Sequence, residues 1–342
     1  MKKIILIILI LCLVILAWFV FSEIYTAEAQ KIDKVNFEIK QGESVGELVN
    51  RLEEEQVIRN AWIFKKYLVY KGLDKKVNYG EFEVEAPITT ARVAQALGQP
   101  GLSEREITIL PGWGLKELGD YLEKEGIGTK EEFFNIVGRP GKNYKIVSEK
   151  APDIKRDFKI LTDKPWYVSY EGYFAPDTYR IYKNASLVDV IDRLFSERDK
   201  QITVEMWQDL EKQGKSFFDI LTMASVLERE ARDFEEMAII SDIFWRRDDI
   251  NWALQSCATV NYITGKNDPG ISLEDKEIES AYNTYKYPGL PLGPISNPGL
   301  DAIRAAIYPE KNDYWYFLTG TDGEMRYAED LEGHNLNKAK YL

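Results

Sequence analysis

The chain repeats itself at an offset of 70 residues, and that repeat narrows what it can fold into. FEIKQG (37–42), followed by Val45, Leu48 and Leu52, matches ITILPG (107–112), followed by Leu115, Leu118 and Leu122. Val57 matches Ile127, and Phe64 matches Phe134. Each copy reads as a short alternating strand, a glycine turn, an amphipathic helix and a second helix. YGEFEV (79–84) before a helix at 90–97 corresponds loosely to EGYF (171–174) before a helix at 187–194. The pattern predicts two βααβ-like modules, at 35–98 and 105–195, joined by a linker at 99–103. The second carries an insertion at 138–170. Such modules are familiar in glycan binding, although a fold alone says little about function.

Residues 4–21 form an apolar run of 18 residues without a charge. As a helix this run spans about 27 Å, close to the thickness of a hydrocarbon core. Lys2 and Lys3 precede it, while Glu23 and Glu28 follow. The positive-inside rule then places a tail at 1–3 in the cytoplasm, an anchor at 4–22 in the cell membrane, and the rest outside. The run exceeds the apolar core of a signal peptide, so a retained anchor is expected even though AEA (27–29) resembles a cleavage site. Of two Cys in 342 residues, one is Cys12 within the run, which leaves no disulfide framework outside. A single His excludes a multi-His metal site, and no phosphate-binding glycine loop occurs, so neither metal nor cofactor is expected. The net charge of −12 argues against nucleic acid as a partner but not against a sugar chain.

Beyond residue 200 the pattern changes. A long helical stretch covers 216–245, with a break near 232–234. A segment dense in Pro and Gly fills 288–299. A helix at 300–307, strands at 314–319 and 325–328, and a helical tail at 333–342 complete the chain. The class expected is therefore α+β: an anchor helix, βααβ modules, then a mixed α/β region.

Within the long helix, Phe217, Leu221, Ala224, Glu228 and Ala231 fall on one arc of roughly 80°. A carboxyl group on such an apolar face loses hydration, which favours its protonated form and suits a general acid. The nearby Glu230 points to the opposite side and reads as an ordinary solvated residue. The plainer alternative for Glu228 is an edge position paired with Arg232. EGYFAPDTY (171–179) sets Glu171 among aromatic rings, including Tyr179, whose faces suit sugar rings; a hairpin turn at Pro176 would explain the same string. YNTY (282–285) before the Pro/Gly-rich segment has a similar composition. A nucleophilic triad is disfavoured. His334 is the only candidate base, and Ser225 lies in a helical pattern rather than at a strand–helix elbow.

Four motifs in order, EGYFAPDTY (171–179), ASVLERE (224–230), LQSCATV (254–260) and YNTY (282–285) with GLPLGPISNPG (289–299), resemble the YceG-like endolytic murein transglycosylases. The resemblance covers nearly the whole chain: anchor, LysM-like module at 35–98, and a catalytic region at 105–342 that includes the related segment 105–195. It implies a lytic transglycosylase, a lyase that cuts the MurNAc–GlcNAc β-1,4 bond of nascent glycan strands and leaves 1,6-anhydro-MurNAc ends. It also implies a terminator of strand elongation acting beside peptidoglycan synthases. The family's catalytic acid, the first Glu of its A-S-[IV]-[IVL]-E-[KR]-E motif, falls on Glu228. Glu171 would orient substrate or polarise Glu228, while Tyr179, Gln255, Asn283 and Tyr285 would contact the sugar. Cys257 stands where the family often has Asp, and no role is assigned to it. The rival is a non-catalytic, membrane-anchored glycan-binding or scaffold protein of the envelope.

Overall fold

The computed structural model describes residues 2–26, 34–40, 42–75, 77, 80–98, 104–183, 185–266 and 270–342, with the side chains of the first helix from residue 9 onward. The linker expected at 99–103 and the string at 27–29 lie outside the described residues. The chain forms two compact units: residues 1–107 with 179–185, and residues 108–178 with 186–342.

The first unit begins with helix α1 (Lys2–Tyr25), which packs against two later helices of this unit. Its side chains from Leu9 to Phe21 are mostly exposed, whereas Ile24 is buried. Among the described residues no helix is long and apolar enough to cross a membrane. Strand β1 (Lys34–Ile39) pairs antiparallel with β2 (Gly80–Glu85), in the register Val35↔Val84 and Phe37↔Phe82. Period-two alternation turns Phe37, Ile39, Phe82 and Val84 inward. Between the strands lie α2 (Val45–Glu54) and α3 (Ala61–Lys71), and α4 (Thr90–Leu97) follows. Ser44 and Glu47 close a capping box at the start of α2, and Asn60 and Thr89 cap the next two helices. Leu48, Leu52, Phe64, Leu68 and Val93 fill one core drawn wholly from this stretch.

The repeat recurs as β3 (Glu104–Ile109), α5 (Leu115–Lys124), α6 (Lys130–Val137), β4 (Asp177–Tyr182) and α7 (Leu187–Gln201). β3 is hydrogen-bonded to β4 in a two-stranded sheet of its own. The boundary between the units falls inside both β3 and β4. One correspondence needs correction. The counterpart of β2 is β4, at 177–182, and not EGYF (171–174), which forms a turn with Gly172 at φ +87°. A Cβ at Gly172 would lie 2.5 Å from Pro294, so both the backbone and the space demand glycine.

The remainder of the second unit is mainly helical. It runs through α8 (Val204–Gln213), α9 (Phe217–Glu230), α10 (Phe234–Asp249), α11 (Cys257–Thr264), the short α12 (Leu273–Lys276) and α13 (Leu300–Ile307). A hairpin of β5 (Tyr316–Thr319) and β6 (Met325–Ala328) leads to α14 (Leu331–Tyr341). The expected break near 232–234 is real: Asp233 caps α10. Helix α9 is the centre, packed by α10 and α13. The buried surface of α13 is largely alanine (Ala302, Ala305, Ala306), which lets the two helices approach closely. From Phe217 to Leu227 every α9 residue except Asp219 is buried. The helix is thus enclosed nearly all round, and the stripe read from its sequence is only part of what it buries.

Leu52 is wholly buried in the first core, so Leu52→Ala is expected to cost about 2–5 kcal/mol through lost burial and the cavity left behind. Hydrogen exchange should detect this first as lost protection in α2–α4; unchanged protection there would contradict the packing described.

Candidate functional site

Glu228 occupies the last turn of α9, directly after the buried run. The Pro/Gly-rich segment travels beside this end of the helix, tied to it in sequence order. The Ile295 N–H donates to Ser225 Oγ (2.9 Å), the Ser296 hydroxyl to the Ser225 carbonyl (3.0 Å), and the Gly299 N–H to Glu228 Oε2 (2.8 Å). A Cβ at Gly299 would lie 3.3 Å from that oxygen, so a side chain there would crowd the carboxyl group. Glu228 Oε1 takes no hydrogen bond from a described residue, and the side chain is half-buried. Burial raises its pKa above the usual carboxylate value, with Asp301 adding and the Gly299 N–H and Arg198 opposing. Among the described residues Glu228 forms no ion pair with Arg232.

On another side stands the turn that opens the second module. Gly112 approaches the Glu228 side chain closely, since a Cβ on it would lie 3.7 Å from Glu228 Cγ. Arg229 Nη2 donates to the Gly112 carbonyl at 3.0 Å. Asn297 fixes the turn from the other direction. Its N–H and its Nδ2 both donate to the Trp113 carbonyl (2.7 and 2.9 Å), and its own carbonyl accepts from the Gly112 N–H (2.9 Å). Its Oδ1 accepts from the Phe174 N–H at 3.1 Å. Neither Asn297 nor the Pro111–Gly114 turn was singled out from sequence. The available signal was the contrast between PGWG here and QGES at the matching turn of the first module.

Glu171 is almost completely buried. Its carboxyl group accepts the Leu115 N–H (2.8 Å), at the start of α5, and the Tyr262 hydroxyl (3.0 Å). Burial outweighs both bonds and pushes its pKa up to about 8. Its contacts are with protein on both oxygens, and they anchor the same turn that adjoins Glu228.

Glu230 is not a solvated neighbour. Its Oε1 accepts the Ser256 hydroxyl, and burial raises its pKa, with Ser256 and the Ala258 backbone opposing. Helix α9 therefore reaches the 254–260 segment two residues beyond Glu228. Gln255 is exposed there in the left-handed region (φ +57°), its N–H held by the Thr284 carbonyl at 3.0 Å. Strained backbone at a tip of this kind often accompanies function. The half-buried Tyr285 meets Cys257 Sγ through its hydroxyl at 3.1 Å. Asn283 is fully buried, with its amide committed to the carbonyls of Lys276 and Ile278 and to the Tyr285 N–H. Its task is to hold the loop. Tyr179 lies in the part of β4 that belongs to the first unit, a buried ring. His334 stacks on Tyr316, ring centroids 5.2 Å apart. Ser225 spends its hydroxyl on the Thr222 carbonyl, so no triad forms. The second unit thus gathers Glu228, Glu171 and Glu230 with the Gln255 and Tyr285 segments; both Glu171 oxygens accept from protein, whereas Glu228 Oε1 accepts from no described residue.

A model of the YceG-like family matches residues 37–340. An endolytic murein transglycosylase of Bacillus subtilis is 29% identical over 311 residues, covering 90% of this chain and 85% of the relative. One of Streptococcus pneumoniae is 27% identical over 348 residues, covering 95% of this chain; the chain spans 61% of that longer relative. The crystal structure of a YceG-like protein from Listeria monocytogenes matches with a TM-score of 0.56 at 27% identity, covering 89% of this chain and 98% of that one.

Two measurements bear on this geometry. Asn297→Ala orphans the buried Phe174 N–H and weakens the hold on Trp113, at a cost of about 2–4 kcal/mol in unfolding free energy; a change below 0.5 kcal/mol would deny Asn297 that part. A carboxyl group whose folded pKa is raised stabilises fully below its unfolded value near 4.5 and loses that contribution as pH rises through about 8. Wild type should therefore lose stability relative to Glu171→Gln between pH 4.5 and 8 in urea titrations. A difference independent of pH would show that Glu171 is ionised in the folded protein.

Proposed function

We propose that this chain, which belongs to the YceG-like family, is an endolytic murein transglycosylase with Glu228 as its single acid and base. The observation that carries the reading is the carboxyl group at the end of α9, half-buried, held through Oε2 by the Gly299 N–H and left open at Oε1. Its raised pKa keeps it protonated further toward neutral pH than an exposed glutamate. Protonated Glu228 donates to the oxygen of the MurNAc–GlcNAc β-1,4 bond as the C1–O bond breaks and C1 becomes oxocarbenium-like. The GlcNAc hydroxyl leaves with that proton. The carboxylate then takes the proton of the muramyl C6 hydroxyl, whose oxygen attacks C1 and closes the 1,6-anhydro ring. No water enters, and Glu228 ends as it began. Inverting and retaining glycosidases need a second carboxylate for water or for a covalent intermediate. Glu171 accepts from protein on both oxygens and Glu230 accepts the Ser256 hydroxyl, which favours the one-carboxyl route.

Gln255 and Tyr285, carried on segments tied to the end of α9, contact the sugar in this reading. Residues 35–98 serve as a LysM-like module. The exposed apolar side chains of α1 favour a retained anchor with its amino end in the cytoplasm, because a helix apolar on every side calls for an apolar surrounding. Tethering confines the enzyme to strands emerging at the outer membrane surface, where cutting ends elongation by neighbouring synthases.

Glu228→Gln keeps an oxygen for the Gly299 N–H but has no proton to give. It is expected to lower the rate of strand cleavage by about 10²–10⁴-fold while leaving the fold intact. Mass spectrometry of the products made in H₂¹⁸O should find anhydro ends without the label. Labelled reducing ends would establish a hydrolase instead, and equal cleavage by the variant would remove Glu228 from the chemistry.

A further inference from the structure

The insertion at 138–170 has a charge unlike that of the rest of the chain. It carries eight Lys and Arg against four Asp and Glu, in a protein with a net charge of −12. Long irregular segments of this sort in a compact unit are usually functional. Part of this one is well anchored: the Tyr144 N–H donates to the Tyr167 carbonyl (3.0 Å) and the Ile154 N–H to the Tyr170 hydroxyl (2.8 Å). Between its limbs is a cavity of about 480 Å³, within the range of small-ligand sites. Lys150, Lys155, Arg156 and Lys164 line it against two carboxylates, Asp153 and Asp157.

The pairing of these charges is the informative point. Arg156 is matched by Asp192, at 2.8 Å, which is not among the residues that line the cavity. Among the described residues Lys150, Lys155 and Lys164 form no ion pair. Lys164 is the most enclosed of the three. Its Nζ donates to the carbonyls of Pro165 (3.1 Å) and Val168 (2.7 Å) and sits 4.3 Å from the centre of the Tyr170 ring. Loss of hydration lowers its pKa to about 8. An ammonium group deprived of water is costly; Asp153 in the same wall offsets part of that cost without forming an ion pair, and an anion in the cavity would relieve the rest. The exposed Trp166 adds an apolar ring to the same wall.

We propose that this cavity binds a carboxylate-bearing peptide, namely the acidic stem peptide of the glycan strand, with Lys164 and the two exposed lysines as its cationic contacts. The identification of the peptide with the strand's own stem rests on the transglycosylase reading; the cationic cavity does not. Tyr170, in the cavity wall, immediately precedes Glu171, whose carboxyl group holds the turn beside Glu228. A stem seated in the cavity would therefore bear on the segment that positions the cleaving group.

The test is calorimetric titration of the full-length chain in detergent with an isolated stem peptide, which has no glycosidic bond and so reports nothing about cleavage. Saturable binding is expected, weakened about tenfold or more when the peptide carboxylates are amidated, and similarly by Lys164→Gln. Because Lys164 also bonds to backbone carbonyls, the exposed pair Lys150→Gln/Lys155→Gln serves as a second variant, expected to weaken binding several-fold with unchanged thermal unfolding. Absence of binding, equal binding of the amidated peptide, or indifference to both variants would overturn the proposal. So would displacement of the peptide by inorganic phosphate at equal concentration, which would mark a general anion site. Peptide binding without strand cleavage would instead count against the transglycosylase reading alone.

Discussion

The buried amide of Asn297 is the joint on which the site depends. One residue, with no exposed surface, bonds to the turn at Gly112 and Trp113 and to the backbone of Phe174. These segments lie 184 and 123 positions from Asn297 along the chain. Buried amides are costly unless every polar atom finds a partner, so once this one is satisfied the segments can be in only one arrangement. That arrangement delivers the Gly299 N–H to Glu228 and the Gly112 backbone to its flank.

Around this joint the three carboxyl groups differ through their surroundings alone. Glu171 accepts from protein on both oxygens, Glu230 turns Oε1 to the Ser256 hydroxyl, and Glu228 keeps Oε1 open beside the Gly299 contact. Burial raises the pKa of all three. What separates a group able to exchange a proton with a bound sugar from one that fastens a turn is access, and access is set by where α9 emerges from its neighbours. The helix is enclosed as far as Leu227, and the next residue is the first to come clear.

The sequence suggested Glu228 by a stripe argument that the structure replaces with a better one. Phe217, Leu221 and Ala224 are buried, as the stripe requires, but so are the residues on the other faces. The position was singled out because motif and pattern agreed. Its distinction lies in being the end of the buried run. Glu230 was misjudged for the same reason: a helix wheel assigns the far face to solvent, and here Ser256 occupies that face.

Much of the local order was legible. The 70-residue repeat, the break before Asp233, the helix at Leu300–Ile307 and the β5–β6 hairpin were all read from caps, periodicity and turn residues, because those signals act within a few residues of one another. The deep burial of Glu171, the role of Asn297, the placement of β4 and the cavity with its unpaired lysines were decided only by tertiary structure. They depend on partners far away in sequence: Asn297 and Trp113 are 184 positions apart, Gly299 and Glu228 71, and Leu115 and Glu171 56. No periodicity spans such separations. Hydration is lost only when distant segments close over a group, so the charge state of a side chain belongs to the assembled fold and not to its own stretch of chain.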